Sequence, residues 1–508
     1  MKKTLLSLAL LLTAMTAAAQ DDGVNNWHFS DNADGTATVV CFEHDGKGWI
    51  NGMETTVHTK LDCYGGDAVI PSKTPDGKTV TAIGDECFRA CPGLTSLKIP
   101  SSIKRIGKAA IQECSALKEI SVPGSVEFLD RNAIWNCDNL ERLIIEDSPN
   151  TLTTPSGYEM FRTLRGLKYI YQGRNIITSE EAWPVFCQMG GPVDTIEIGP
   201  EVTEIPEHGY EYNKSLRTVV MSPNITVIPQ YAFNLCEVLE TVTWPSGLTD
   251  ICESAFSQCK ALKTLPDLSH CKRILQGAFA QCEAITKVVI PATVDTLGYG
   301  AFSANTALEE VIIEDCERPL KMGSGEMFGR PAPNLRKAYL GRDYEGGQYG
   351  VFQWNPSIEE VTIGGYATKL RAGEFTECKA LKTVHLGERM KEIADGAFGS
   401  WAAQMTVSTL ICDAVEPPVC LGNTSLTPPI DAQTCKLYVP AESVDAYKAA
   451  FQWKEFFNIE SGITAQQSGA ASVSSVYTLG GQRTAGTQRG LLIQRMSDGS
   501  VRKVITNK

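Results

Sequence analysis

Cysteine is the residue type in this chain whose number and spacing could most readily support chemistry. The 508 residues include 17 cysteines, enough for disulfides, zinc ligation or a redox centre. Seven of them recur at the last position of a repeated phrase of the type A-F-x-x-C, so the repeat itself accounts for them. We expect small, buried side chains stacked as a ladder, because the C-x-x-C spacing of a zinc or redox site is absent from this column. The seven are Cys91, Cys114, Cys137, Cys236, Cys259, Cys282 and Cys378.

Disulfides are the alternative for these thiols. Neighbouring strands lie about 4.8 Å apart, which brings equivalent alpha carbons of adjacent rungs into disulfide range. Bridges within the column therefore stay open at this point. Cys412, Cys420 and Cys435 lie beyond the regular repeat and are the better candidates for bridges.

Catalytic motifs are absent from the sequence. The six histidines are scattered, and no H-E-x-x-H, G-x-S-x-G or G-x-x-x-x-G-K-[ST] occurs. His385 alone falls on a predicted strand face, where a surface position accounts for it. Carboxylates are plentiful, so composition does not exclude a glycosidase-like pair, but stacked short strands imply no pocket. The sequence predicts no catalytic residue, no cofactor and no metal site.

The outward positions of the predicted strands carry the sharpest binding signal. Solvent should favour polar residues there, yet one column is largely apolar, and contiguous apolar surface often marks contact with a partner. Tyr171 and Tyr339 are the expected anchors, because aromatic side chains give much contact area for little entropy. Cover by longer rungs, or plain strand propensity, is the alternative. The candidate binding residues are Ile144, Tyr169, Tyr171, Val220, Val289, Ile312 and Tyr339.

A repeat of 23 residues must position these side chains. Repeats start at residues 80, 103 and 126, then at 202, 225, 248, 271 and 294, then at 367 and 390. A fixed period of this length is typical of a solenoid, because each unit is too short to bury its own apolar face. In one rung, Ile120 and Val122 alternate with polar residues as in a half-buried strand. Ala110, Ile111 and Cys114 suit a short helical turn.

Two longer intervals interrupt the period, and they resemble each other. The phrase LERLIIED at Leu140 recurs as LEEVIIED at Leu308, an offset of 168 residues. Each is followed by E-M-F, at residues 159–161 and 326–328. We interpret this as a larger duplication, with degenerate rungs at 149–201 and 317–366.

The repeat pattern resembles the BspA-like leucine-rich-repeat family of exported bacterial proteins. Matching residues include Ile228, Ala232, Phe233, Cys236 and Leu239 in one rung. The resemblance implies an α/β fold: a right-handed leucine-rich-repeat solenoid with parallel strands, short helical turns, about 13 rungs and capped ends. It also implies a binding scaffold without catalytic residues, with adhesion to host proteins or cells attributed to some members.

The remaining segments suggest export. Residues 1–19 read as a signal peptide, with Lys2 and Lys3 before a short apolar run. No other stretch has the roughly 20 apolar residues of a membrane span. The formal charge of −13 argues against nucleic acid or anionic lipid as partners. The predicted organisation continues with a β cap and partial repeat at 20–79, the solenoid at 80–411, a C-terminal cap at 412–460, a linker at 461–475 and a small β tail at 476–508.

The sequence as a whole predicts an exported, non-enzymatic scaffold, secreted or at the cell surface. It would bind a protein or glycan partner, of host origin in the adhesion case, through its parallel strand face. The alternatives are a structural or self-assembling surface protein and a carbohydrate-active enzyme.

Overall fold

The chain folds as a parallel β-solenoid of about 16 turns with little helix. The predicted signal peptide lies outside the residues that the computed structural model describes, and so do Glu326 and the first cysteines of the chain. The described residues are 27–40, 46–50, 53–57, 66–155, 157, 159–179, 183–323, 327–328, 332–347, 350–399, 405–461, 473–478, 483–484, 490–496 and 501–506.

One strand from each regular rung joins a parallel sheet that we call the front ladder. Its strands alternate as predicted: Ile120 and Val122 are buried, whereas Ser121 between them faces outward. Ile120 lies opposite Leu143 of the next rung, so equivalent repeat positions are in register. The front strands are Gly66–Val69, Leu94–Lys98, Glu119–Val122, Arg142–Ile145, Tyr169–Gln172, Thr195–Ile198, Thr218–Val220, Thr241–Thr243, Lys287–Ile290, Glu310–Ile313, Lys337–Arg342, Glu360–Tyr366, Thr383–Leu386, Thr409–Cys412, Lys436–Val439 and Asn458–Ser461.

A second, shorter strand of each rung joins a back ladder. It begins with the antiparallel pair His28–Asp31 and Ala37–Val40, and the later strands are parallel. These strands are Val80–Ile83, Arg105–Ile106, Phe128–Leu129, Leu152–Thr154, Ile176–Thr178, Val227–Ile228, Asp250–Ile251, Arg273–Ile274, Thr296–Leu297, Leu320–Met322, Tyr344–Glu345, Lys369–Leu370, Glu392–Ile393 and Val419–Cys420.

The core between the two ladders holds a stack of aromatic rings. Phe233, Phe256 and Phe279 stack at centroid distances of 5.1 and 5.4 Å. The same stack runs from Phe161 through Phe186 and Tyr210 to Phe328. All these rings are buried, so the aromatic position of the repeat supplies a continuous apolar column.

The predicted short helical turn is replaced by tight turns in nearly every rung. Residues with positive φ recur twice per rung, for example Tyr231 at 56° and Leu235 at 61°. A left-handed residue cannot continue a right-handed helix, so the backbone turns after each one. Within the described part of the solenoid, one short α-helix occurs, at Glu159–Arg162.

The front ladder also extends beyond the predicted count of about 13 rungs. Thr409–Cys412, Lys436–Val439 and Asn458–Ser461 continue it after His385. The sequence count stopped there because the 23-residue phrase fades. The right-handed winding stays a prediction.

The remaining described elements lie at the two ends of the chain. A hairpin, Gly46–Ile50 with Met53–Val57, precedes the solenoid in sequence, and Ile111–Gln112 pairs with Ile134–Trp135 between the ladders. The C-terminal segment adds an α-helix, Val444–Ala449, and two 3-10 turns, Ala441–Ser443 and Trp453–Glu455. An antiparallel tail sheet contains Val473–Thr478, Arg483–Thr484, Gly490–Met496 and Val501–Thr506.

A buried arginine supports each of the two longer rungs. Arg174 donates to the carbonyls of Pro123, Gly124 and Val126 at 2.7–2.9 Å. Arg342, 168 residues later, donates to the equivalent carbonyls of Pro291, Ala292 and Val294. The side-chain packing of the two longer rungs therefore agrees with the duplication inferred from the sequence.

Candidate binding face

The structure places all seven predicted binding residues on the outward face of the front ladder. Each is half-buried by its neighbours along the ladder. Ile144 lies beside Tyr171 in register, and Tyr169 belongs to the same strand as Tyr171. Val289, Ile312 and Tyr339 are consecutive members of the column. Val220 stands apart, between Glu197 and Thr243.

The two predicted anchor tyrosines make the same hydrogen bond. Tyr171 donates its hydroxyl to Asp147 Oδ1 at 2.7 Å, and Tyr339 donates to Asp315 Oδ1 at 2.7 Å. Both pairs are separated by the 168-residue offset. Desolvation, together with the hydrogen bond to the aspartate, raises the pKa of both phenols. The hydroxyls therefore stay protonated near neutral pH and hold the rings over the aspartates.

Tyr169 is held by charged neighbours in the adjacent column. Its hydroxyl donates to Glu197 at 2.7 Å, and the Arg142 guanidinium lies over its ring at 4.1 Å. Desolvation and the hydrogen bond to Glu197 raise its pKa to about 12. This tyrosine therefore belongs to a charge-lined patch, and its ring face is partly occupied.

Glycines leave the space that the anchor hydroxyls occupy. A Cβ at Gly199 would lie 2.6 Å from the Tyr171 hydroxyl, and one at Gly364 would lie 2.5 Å from the Tyr339 hydroxyl. Any larger residue there would displace the tyrosine. The end of each strand is therefore a shallow notch with an aromatic wall.

The notch beside Tyr339 opens into a cavity of about 550 Å³. His385 Nε2 lies 2.6 Å from Asp413 Oδ2 in its lining. Thr362 and Ile411 complete the strand surface. Aromatic, hydroxyl, imidazole and carboxylate groups together can hydrogen-bond a polar partner while packing against its apolar parts.

Sequence reasoning missed several residues of this face. Asp147, Asp315 and Asp413 lie just after their strands, outside the outward columns that were aligned. Ile411 and Tyr438 continue the apolar column beyond His385. Alignment of the strand phrases TLIC and KLYV with earlier rungs would have found this pair.

Comparison with known protein families assigns the repeat. The model described as "BspA type Leucine rich repeat region" matches in six copies, over residues 81–211, 203–318 and 348–409. These segments cover more than half of the chain. The chain belongs to the BspA-type leucine-rich-repeat family. Proteins of this family are bacterial surface proteins, and their fold is typically a non-enzymatic scaffold.

Solved structures with similar folds are also bacterial. A leucine-rich repeat protein from Bacteroides ovatus is 18% identical and aligns over 86% of this chain and 98% of its own, with a TM-score of 0.39. A leucine rich cell surface protein from Faecalibacterium prausnitzii is 21% identical over 73% of this chain and 94% of its own, with a TM-score of 0.29. No functionally curated protein matches the sequence.

The cysteines of this BspA-type chain are free thiols wherever the structure describes them, including Cys412, Cys420 and Cys435. No cluster of three or more His, Cys, Asp or Glu side chains in the described ranges could hold a metal ion. Within the same ranges, the helices are too short or too polar to cross a membrane.

Proposed function

We propose that this protein is an exported, non-enzymatic surface scaffold that binds a protein or glycan partner through the outward face of its front ladder. The observation that carries the proposal is the column of half-buried apolar and aromatic side chains along this face. Solvent alone gives no reason for such a column, whereas partner binding would cover it.

The hydrogen bonds of the anchors favour a binding role over cover by inserted segments. Tyr171 and Tyr339 bond to aspartates of the preceding rung, and Tyr169 bonds to Glu197 of the following rung. The rings are fixed within the ladder itself. Rigid aromatic groups lose little entropy when a partner packs on them.

A binding screen of the exported chain against matrix proteins and glycans tests this function. We expect Tyr171→Ala with Tyr339→Ala to abolish binding that the unmodified protein shows. A double variant of turn tyrosines away from the front face, Tyr212→Ala with Tyr299→Ala, serves as the matched control and should bind normally. Binding that survives loss of both anchors, at equal thermal stability, would move the function to another surface.

Self-association is the second candidate, and the end of the front ladder favours it. Phe457 is 78% exposed and precedes the last front strand, Asn458–Ser461. A terminal strand is a template for pairing with another chain. Light scattering distinguishes this function, because mass that rises with concentration and falls in Phe457→Ser would indicate contact between copies.

A further inference from the structure

Two prolines interrupt the back ladder at one place. In regular rungs the residue after the back strand donates its N–H to the preceding rung, as Cys252 does to Ile228 and Leu275 to Ile251, at 2.9 and 2.8 Å. Pro229 and Pro206 occupy the equivalent position in the two rungs before Cys252. Proline has no N–H to donate, so this ladder bond is missing twice in succession.

The strand Ile176–Thr178 therefore has no hydrogen-bonded strand after it. The next back strand among the described residues is Val227–Ile228. In the rung between them, Thr203 and Glu204 donate their N–H groups to the side chain of Asn175. That side chain holds the two rungs together at one end and leaves a cleft beyond it.

The cleft has a volume of about 520 Å³, within the usual range of ligand sites. Residues 175–178 form one wall and 204–207 the other, with Pro184 and Val185 beside them. Ile177 is 56% exposed at its mouth. Tyr210 donates to Gln172 Oε1 at 2.6 Å beneath it, and both side chains are buried. The cleft thus combines apolar walls with a closed polar floor.

The rim of the cleft is acidic and uncompensated. Glu204 and Glu207 are exposed, and their carboxylates have neither a hydrogen bond nor an ion pair with any described side chain. No lysine or arginine lines the cleft. Anionic ligands are disfavoured by this charge, whereas a cation gains two partners. The apolar walls suit the methylene stem of such a cation.

We propose that this cleft binds an ammonium or guanidinium group carried on an apolar stem, the chemistry of a lysine or arginine side chain presented by a partner protein. Glu204 and Glu207 pair with the charged head, while Ile176, Ile177 and Pro206 pack on the stem. The site lies on the back ladder and does not depend on the front-face function.

Ligand-observed saturation-transfer NMR on the exported chain tests the proposal with Nα-acetyl-lysine amide and Nα-acetyl-arginine amide as probes. Norleucine amide is the uncharged control, spermidine represents a free polyamine, and maltose represents neutral glycans. We expect the lysine or arginine probe to bind, and its affinity to fall as salt is raised. Spermidine binding tighter than both amino-acid probes, equal binding of norleucine amide or maltose, or no binding by any cation would overturn the proposal.

Variants locate the site. Glu204→Gln with Glu207→Gln should weaken binding about tenfold, the effect of losing two partly exposed ion pairs. Glu201→Gln with Glu283→Gln removes two exposed carboxylates elsewhere and should leave binding unchanged. Pro206→Ala restores an N–H that can close the ladder, so it should weaken binding and raise the melting temperature. Unchanged binding in the Glu204 and Glu207 double variant sinks the assignment. The Tyr171→Ala, Tyr339→Ala protein should still bind the probes.

Discussion

Each cysteine of the repeat column donates a hydrogen bond across the solenoid. The thiols of Cys236, Cys259 and Cys282 lie 3.2–3.3 Å from the carbonyls of Tyr210, Phe233 and Phe256 in the preceding rungs. Asn213 stands at the same position and donates to Phe186 O at 2.8 Å. The column therefore satisfies a buried carbonyl in each rung, besides filling space.

The matched variants Cys259→Ser and Cys259→Ala test this role. Serine keeps a donor for the Phe233 carbonyl, whereas alanine leaves that carbonyl unpaired. We expect the serine variant to be more stable than the alanine variant by roughly 0.5–1.5 kcal/mol, measured by urea denaturation. An alanine variant as stable as the serine variant would mean that the thiol acts only as an apolar filler.

Glu374 is a buried carboxylate where neighbouring rungs have alanine, such as Ala397. It accepts hydrogen bonds from the Tyr344 hydroxyl at 2.5 Å and the Val351 N–H at 3.0 Å. Arg371 lies over the Tyr344 ring at 4.8 Å. Burial outweighs these favourable contacts and raises the pKa of Glu374 from 4.5 to about 7. The folded protein therefore binds this proton more tightly than the unfolded chain does.

Stability should accordingly fall as the pH rises from about 4.5 to about 7, by roughly 3 kcal/mol from this group. The contribution is fully present below the lower value. Glu374→Gln removes the charge and should flatten this part of the pH profile, measured as the urea midpoint at pH 5 and pH 8. Glu201→Gln, an exposed control, should keep the slope of the unmodified protein. An equal slope in Glu374→Gln would place the titration elsewhere.

Tight turns connect the strands because two residues per rung are left-handed. Ser254 and Gly277 occupy the same position of consecutive rungs, with φ of 51° and 59°. The spacing of buried residues is the same for one helical turn as for this pair of turns. Hydrophobic periodicity therefore predicted a helix, and only the backbone angles reveal the difference. Glycine accepts such angles freely, whereas serine does not.

The swap between these positions has opposite expected signs. Ser254→Gly should stabilise the protein and Gly277→Ala should destabilise it, each by roughly 0.5–1 kcal/mol once the entropy of glycine in the unfolded chain is included. Ala280→Gly, in the same turn without a positive φ, should destabilise. Thermal unfolding of the three variants measures this, and the same sign for Ser254→Gly and Ala280→Gly would contradict the turn geometry.

The breaks in the two ladders of the solenoid fall in different rungs. The front ladder is interrupted between Lys98 and Glu119 and between Thr243 and Lys287, where the back ladder is continuous. The back ladder is interrupted between Thr178 and Val227 and between Glu345 and Lys369, where front strands pair without a gap. Each break is therefore bridged by the opposite sheet.

The period and the strand alternation were enough to predict the solenoid, its parallel front strands and the outward column. They could not predict the aspartate partners of Tyr171 and Tyr339, because a contact across rungs depends on how each ring leans. The cleft near Pro206 was also missed. Pro206 and Pro229 are visible in the sequence, but their effect depends on which backbone groups bond between rungs.

Hydrogen exchange should reveal the back-ladder break directly. Thr249 donates its N–H to Thr226 O at 2.8 Å, whereas the N–H of Thr226 has no hydrogen-bond partner among the described residues. We expect the Thr226 amide to exchange faster than the Thr249 amide by on the order of 100-fold, because its exchange needs no opening of a ladder bond.

The front ladder and the aromatic stack should confine that fast exchange. Phe186, Tyr210 and Phe233 stack without interruption past the break, and Thr218–Val220 pairs with strands on both sides. Amides of Thr218–Val220 should therefore exchange as slowly as those of Thr241–Thr243. If they exchanged as fast as Thr226, the break would separate two independently unfolding halves. Slow exchange there means instead that the acidic cleft is a local opening on a continuous scaffold, able to accept a ligand without loss of the front face.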